Sequence, residues 1–398
     1  MTEVVNTHYL FINLRLLSQK SFMNKLLNIF LVSFALNLSA IPNPPDLGVG
    51  SYILYEPNTG KVLVSYNADE PVEPASLTKL MTSYVIADYI KEDFISLDDE
   101  PKISIKAWKT EGSRMFIREG TKVKVSDLLK GMVIQSGNDA AVALAEHAEG
   151  SEENFAYVMN EFADNLGMKN SSFNNASGLP DPLNVTSAYD LALLTAALIK
   201  DFPEQYQLYS EKYFTYNGIK QANRNRLLWR DEIFDGGKTG YTSAAGYCLV
   251  GSAMRGDMRL VAVVLGSEDD KRFNDVSALM TYGFRHYDTV KLFDANESLR
   301  DVEIVAGKSE SVSVGATEDI ILTLTKDQRE SIRYEVEVGT RILAPISASD
   351  QAGTLRVLDG DNNVLAETDL IYLEDVEELG FFQRLIAIIW NWIKSLFG

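Results

Sequence analysis

Pro74-Ala75-Ser76-Leu77-Thr78-Lys79-Leu80-Met81-Thr82 sets a serine and a lysine three residues apart where a helical pattern begins. Leu77, Leu80, Met81, Tyr84 and Val85 recur at helical spacing, and a proline just ahead of such a run is favoured at a helix start. Positions i and i+3 share one face of a helix, so a proton can pass between Ser76 and Lys79. A serine hydroxyl needs a base before it becomes a useful nucleophile. Lysine serves as that base only when burial or a neighbouring cation lowers its pKa. Ser76, near the helix start, also gains from the positive end of the dipole. Alone, S-x-x-K is a weak signal, expected about once by chance in a chain this long, and a helix cap beside a solvated lysine explains it equally well. It occurs once.

Two further motifs lie downstream. Ser136-Gly137-Asn138 precedes the helical run Asp139-Ala140-Ala141-Val142-Ala143-Leu144. Its hydroxyl can shuttle a proton and its amide can hold a carbonyl, yet Ser65-Tyr66-Asn67 and Ser172-Phe173-Asn174 match S-x-N as well. Lys238-Thr239-Gly240 follows Gly236-Gly237 and leads into a strand pattern. It can form an anion- and peptide-docking edge or a simple strand-end turn. Together the three are specific, because S-x-x-K, S-x-N and K-T-G occur in this order, each in its expected context.

With Gln135-Ser136-Gly137-Asn138-Asp139-Ala140, Asn223-Arg224-Asn225-Arg226-Leu227-Leu228-Trp229 and Gly237-Lys238-Thr239-Gly240-Tyr241-Thr242, the chain resembles the low-molecular-mass penicillin-binding proteins that act as D-alanyl-D-alanine carboxypeptidases. The resemblance covers nearly everything after residue 45. It implies an α+β catalytic domain, an antiparallel sheet packed with helices, followed by a small all-β domain and a C-terminal amphipathic helix. It implies that Ser76 attacks the carbonyl between two D-alanines of a peptidoglycan pentapeptide, Lys79 takes its proton, and Ser136 and Asn138 line the opposite wall. Lys238 would hold charge and tune the proton network. Backbone N–H groups of Ser76 and Tyr241 would form the oxyanion hole, and Lys238, Thr239, Gly240 and Tyr241 would line the substrate-binding edge. Thr239 and an arginine would hold the terminal carboxylate, with Arg272 first and Arg224 second. β-Lactams would acylate Ser76, and no metal or other cofactor is needed. Tyr241 stands where some relatives carry histidine, but only its backbone is required.

Composition narrows the alternatives. The 398 residues carry a net charge of −19 and a pI near 4.7, a poor match for nucleic acid. A single cysteine, Cys248, rules out internal disulfides, and His8, His147 and His286 are too scattered for a His-based zinc site. Cys248 reads as a buried strand residue, and His147 and His286 as ordinary helix positions. A serine β-lactamase normally lacks the appended domain and tail and carries a well-placed glutamate; Asp181-Pro182-Leu183-Asn184 offers an aspartate at the wrong spacing. A DD-endopeptidase shares the trio without the added domain. A non-catalytic cell-wall scaffold needs none of the three motifs. A triad hydrolase of the G-x-S-x-G type is disfavoured, since that elbow does not occur.

The rest of the chain sets the organisation. Lys25, then the apolar run from Leu26 to Leu36, then Ser39-Ala40 describe a secretory leader over 1–40, with Met23 as a possible true start and cleavage after Ala40. Its removal leaves a net charge of −21, because Arg15, Lys20 and Lys25 there outnumber Glu3. Residues 46–290 mix strands and helices, including a hairpin around Glu56-Pro57-Asn58-Thr59-Gly60. Short strands at regular spacing predict a small β-sandwich over 295–375. Over 377–398, Phe382, Leu385, Ile386, Ile389, Ile393 and Leu396 face away from Arg384, Asn391, Lys394 and Ser395. That pattern predicts an amphipathic helix lying on a membrane surface. The expected location is the periplasmic face of a bacterial inner membrane, held peripherally.

Overall fold

Strands β1 (Ser51–Glu56) and β2 (Lys61–Tyr66) open the molecule as a hairpin. In this computed structural model the described residues are 41–397, with side chains to residue 393. The leader pattern, Met23, the cleavage point and His8 lie outside them, as do the side chains of Lys394, Ser395 and Leu396. After β2 the chain leaves the sheet for a layer of helices: α1 (Lys79–Lys91), α2 (Val125–Ile134), α3 (Asn138–Glu149), α4 (Glu152–Asn165) and α5 (Ala188–Asp201). Ser151 and Ser187 cap α4 and α5 by accepting from Asn154 N and Asp190 N, each at 3.1 Å. Helix α3 is rich in small residues. Ala140, Ala141, Ala143 and Ala145 are all buried, and they let α1, α2 and α4 approach its backbone closely.

A small hairpin, β3 (Tyr213–Tyr216) and β4 (Ile219–Ala222), precedes the return to the sheet. Strands β5 (Phe234–Thr242), β6 (Gly246–Arg255) and β7 (Met258–Ser267) then complete an antiparallel sheet in the order β2-β1-β7-β6-β5. Helix α5 packs on one face of β1 and β7, and α6 (Lys271–His286) covers β6 and β7 from the other. Double coverage explains why Leu260 to Leu265 read as a continuous apolar run and are all buried. The approach of α6 is tight enough that a Cβ on Gly283 would lie 2.6 Å from Leu260. Strand β5 is the edge strand, and its free side faces the turn carrying Ser76.

The remaining chain is mostly β. Strand β8 (Tyr287–Phe293) runs directly off α6 and pairs with β11 (Ile320–Thr325), while β9 (Arg300–Val305), β10 (Ser311–Gly315), β12 (Arg333–Val338), β13 (Arg341–Leu343), β14 (Gln351–Leu358) and β15 (Val364–Tyr372) form a six-stranded sheet ordered β12-β14-β15-β10-β9-β13. Val302, Val314, Leu355, Val357 and Leu370 fill a second core. The first hairpin is tied to this layer through Thr323. Glu56 Oε2 accepts from Thr323 Oγ1 at 3.2 Å, and Lys61 Nζ donates to Thr323 O at 2.6 Å. The whole is α+β: mixed helices and antiparallel sheet, then an all-β layer. Helix α7 (Phe381–Phe397) closes the chain with Phe381, Phe382, Ile386, Trp390 and Trp392 at least 60% exposed. Among the described residues no helix is long and apolar enough to cross a membrane.

Candidate active site

Ser76 sits in a 3-10 turn, Ala75–Thr78, that feeds straight into α1. The preceding Ala75 is held at φ 48°, a left-handed conformation that a non-glycine residue adopts only when its surroundings enforce it. Thr78 Oγ1 donates to Ala75 O at 2.9 Å, and Leu77 N donates to Pro74 O at 3.1 Å. Gly178 presses on the same carbonyl: its own φ is 77°, and a Cβ there would lie 1.8 Å from Ala75 O. Only glycine fits at that contact.

Lys79, three residues on, is 1% exposed. Its Nζ lies 3.1 Å from Ser76 Oγ and donates to Asn138 Oδ1 at 2.7 Å and to the Ser177 carbonyl. The Asn138 orientation is fixed, because its Nδ2 donates to Glu111 O at 2.6 Å. Two of the three Lys79 partners are therefore pure acceptors. They take both N–H bonds of a neutral amine and leave its lone pair facing the Ser76 hydroxyl. Burial pushes the Lys79 pKa down to about 7, aided by the Arg224 charge and opposed by Asp139.

Lys238 comes from the interior of β5, paired opposite Val250 of β6, not from a strand end. It is 2% exposed and donates to Ser136 Oγ at 2.8 Å and to Thr239 O at 3.1 Å. Burial first, then the positive charges of Lys79, Arg224 and Arg272, hold its pKa well below the usual lysine value. Ser136 is itself buried and left-handed, at φ 64°. Ser76, Lys79 and Asn138 thus form one hydrogen-bonded set and Ser136 and Lys238 a second, between the helical layer and the sheet edge, and the charge of Lys79 is felt by Lys238. Dry walls strengthen every electrostatic interaction within them.

Known proteins resemble this chain over most of its length. The family described as D-alanyl-D-alanine carboxypeptidase matches residues 39–269, and the C-terminal domain of penicillin-binding protein 5 matches 287–378. The D-alanyl-D-alanine carboxypeptidase DacC of Escherichia coli is 41% identical over 363 residues, 89% of either chain. DacA of Haemophilus influenzae is 39% identical, over 89% of this chain and 92% of its own. The crystal structure of penicillin-binding protein 5 from Haemophilus influenzae superposes with a TM-score of 0.78 at 38% identity, over 85% of this chain and all of that one. The chain belongs to the D-alanyl-D-alanine carboxypeptidase family.

In this carboxypeptidase the two candidate arginines occupy different places. Arg272, in the first turn of α6, reaches β5, where its Nη1 donates to Gly240 O at 3.1 Å. Its guanidinium lies 4.9 Å from the Tyr247 ring and 5.0 Å from the Phe273 ring, which hold it flat. Its Nε is buried and has no partner among the described residues. Arg224 lies on the other wall, donating to Gln135 O at 3.0 Å, beside the two lysines whose pKa values it lowers. Thr239 is buried at the cleft, and the Tyr241 ring projects outward, 4.4 Å from Tyr247.

The carboxypeptidase also uses groups that carry no sequence signal of their own. The Ser177 carbonyl is one, since a backbone acceptor leaves no mark beyond the turn-forming Ser177-Gly178 pair. Asp139 is another. Buried in the first turn of α3, it accepts from Met115 N at 3.0 Å and Phe116 N at 2.9 Å, fixing the loop that supports Asn138. Its position next to the S-x-N motif was the available clue. Asp181 accepts from Leu183 N and Asn174 Nδ2 within its own loop. His147 pairs with Asp99 at 3.2 Å, and the Cys248 thiol, buried in β6, donates to Ala245 O.

Proposed function

We propose that this chain removes the terminal D-alanine from peptidoglycan pentapeptides by a serine acyl-enzyme route. The observation that carries this reading is the buried Lys79 amine, 3.1 Å from Ser76 Oγ and bonded to two pure acceptors, Asn138 Oδ1 and Ser177 O. Ser76 Oγ bonds to the carbonyl carbon of the penultimate D-alanine, and its proton passes to Lys79 Nζ. The oxyanion is held by Ser76 N–H and Tyr241 N–H. The C–N bond then breaks. The leaving amine takes the proton that Lys79 accepted, relayed through Ser136, which Lys238 polarises, and departs as D-alanine. Water hydrolyses the acyl-enzyme and restores Ser76. Arg272 and Thr239 hold the substrate's terminal carboxylate, a role supported by the reach of the Arg272 guanidinium to β5 at Gly240 O. A β-lactam amide enters the same path and acylates Ser76; a related Listeria monocytogenes protein, penicillin-binding protein D2, has been solved with ampicillin bound.

Export and membrane attachment belong to the same proposal. They are supported by the leader pattern over 1–40 and by the exposed apolar rings of α7. On this reading the enzyme works at the periplasmic face of an inner membrane. The test of the activity is release of free D-alanine from a peptide ending in D-Ala-D-Ala. The same peptide with its C-terminal carboxylate amidated should be a far poorer substrate. Equal cleavage of both would remove the exopeptidase assignment.

A further inference from the structure

The loop over residues 111–118 is built with unusual firmness. At its start, Glu111 O and Ser113 O accept from Asn138 Nδ2 and N at 2.6 and 2.7 Å. Further on, the N–H groups of Met115, Phe116 and Ile117 all donate to the Asp139 carboxylate, at 3.0, 2.9 and 3.3 Å. Arg114 O accepts from Gln221 Nε2 on β4 at 3.1 Å. Met115 and Ile117 are buried, and between them Phe116 is held at φ 71° with half its surface exposed. A bulky aromatic in the left-handed region persists only when its surroundings over-determine it, and such strain clusters at binding sites.

This loop displays Arg114, Phe116 and Arg118 to solvent. With Trp108, Asn217 and Ile219 they line an open groove of about 300 Å³. Trp108, Phe116 and Ile219 are 39–49% exposed there. Neither arginine forms an ion pair among the described residues. Two uncommitted guanidiniums beside two flat rings form a cationic spot on a chain of net charge −19. Such a spot selects an anionic ligand with a face that stacks.

We propose that this groove binds the sugar-bearing, acidic part of the substrate: a pyranose ring on Trp108 and Phe116, and free stem-peptide carboxylates on Arg114 and Arg118. The proposal rests on the peptidoglycan reading above. A pyranose offers an apolar C–H face to an aromatic ring, and its hydroxyl and acetamido groups suit Asn217 and the guanidiniums. The groove opens to solvent, as a ligand still attached to a polymer requires. Because the loop also supports Asn138, the bound strand is positioned relative to the acyl site by one continuous backbone. The groove would thus favour polymer-borne stems over short free peptides.

The test compares kcat/KM for an N-acetylated tripeptide ending in D-Ala-D-Ala with that for a disaccharide-pentapeptide. The proteins are wild type, Trp108→Ala and the double variant Arg114→Ser/Arg118→Ser, whose changed side chains are exposed. Each variant should lose about tenfold or more on the glycopeptide, mainly through KM, and less than about twofold on the tripeptide. Equal losses on both substrates mean that the loop acts only through Asn138 and overturn the proposal, as does no loss on either. Calorimetric titration with a disaccharide-tripeptide, which has no D-Ala-D-Ala bond, reads the groove without turnover. Weaker binding by the double variant supports the proposal even if the catalytic reading fails, and unchanged binding overturns it. A sugar-free acidic peptide that binds as tightly as the glycopeptide also overturns it and makes the groove a peptide site.

Discussion

With 1% of its surface exposed, Lys79 has almost no water to support an ammonium charge, and Arg224 nearby makes that charge costlier still. Its pKa near 7 has a definite consequence for rate. The base is the neutral amine, so kcat/KM should be flat above that pH and fall about tenfold per unit below it. A pH profile on a D-Ala-D-Ala peptide measures this; an acid limb near 4 would assign the base to a carboxylate instead. Lys79→Arg keeps the charge and never releases it, and should cost roughly 10²- to 10⁴-fold in acylation rate with the fold intact. Arg272 allows a separate test. Losing a charge-assisted contact to the substrate carboxylate is worth roughly 1.5–3 kcal/mol, so Arg272→Ala should lose about 10- to 100-fold in kcat/KM. Acylation by an ester lacking that carboxylate should be spared. Equal losses on both would give Arg272 a purely structural role in bracing β5. Residue by residue, the side chains of the cluster were legible because each sits in a motif with a local cause: a helix start, the loop that leads into a second helix, a glycine-flanked strand. The Ser177 carbonyl was not, because a distant loop delivers it.

At the scale of elements, the site is a meeting of one turn, one loop and one edge strand, and strain marks each contact. Ala75 and Ser136 are left-handed, and Gly178 fills the only space left under Ala75 O. Gly178→Ala would place a Cβ 1.8 Å from that oxygen and force the Asn175–Gly178 loop off the nucleophile turn. The expected cost is roughly 1–3 kcal/mol of stability. At least a tenfold slower penicillin acylation is expected as well, since about 1.4 kcal/mol of misplacement suffices. Calorimetry and stopped-flow acylation read the two effects. An unchanged Tm and rate would mean that the contact relaxes freely. None of these left-handed residues was visible in the sequence, because alanine and serine do not announce a positive φ as glycine does. The interior placement of Lys238 in β5 was missed for a related reason. Gly236 and Gly237 read locally as a turn, yet in the sheet they sit mid-strand: Gly237 opposite Gly251 of β6, Gly236 with a Cβ position only 2.7 Å from the Tyr206 hydroxyl.

Across the whole molecule, an acidic body ends in a helix with large apolar rings in solvent. Six large apolar side chains buried in lipid, at even about 1 kcal/mol each, would exceed the weak binding of a single acyl chain. Cutting the chain before Leu379 should therefore yield an enzyme that stays out of the membrane fraction and still hydrolyses small peptides. Full-length protein should resist a high-salt wash and yield to detergent. Full-length protein free of membranes without detergent, or a cut form that stays with them, would remove the anchor. The order of parts was readable from composition, because strand spacing and helix amphipathicity are local signals. The coupling of the first hairpin to the β layer through Glu56 and Thr323 was not, since those residues are 267 positions apart. The account as a whole turns on Ser76. Intact-mass spectrometry of the purified protein with penicillin, followed by peptide mapping, tests it most directly. The prediction is one penicilloyl adduct, mapped to Ser76, absent from Ser76→Ala and accompanied there by loss of D-alanine release. An adduct on another serine, or D-alanine release that survives the substitution, would contradict it.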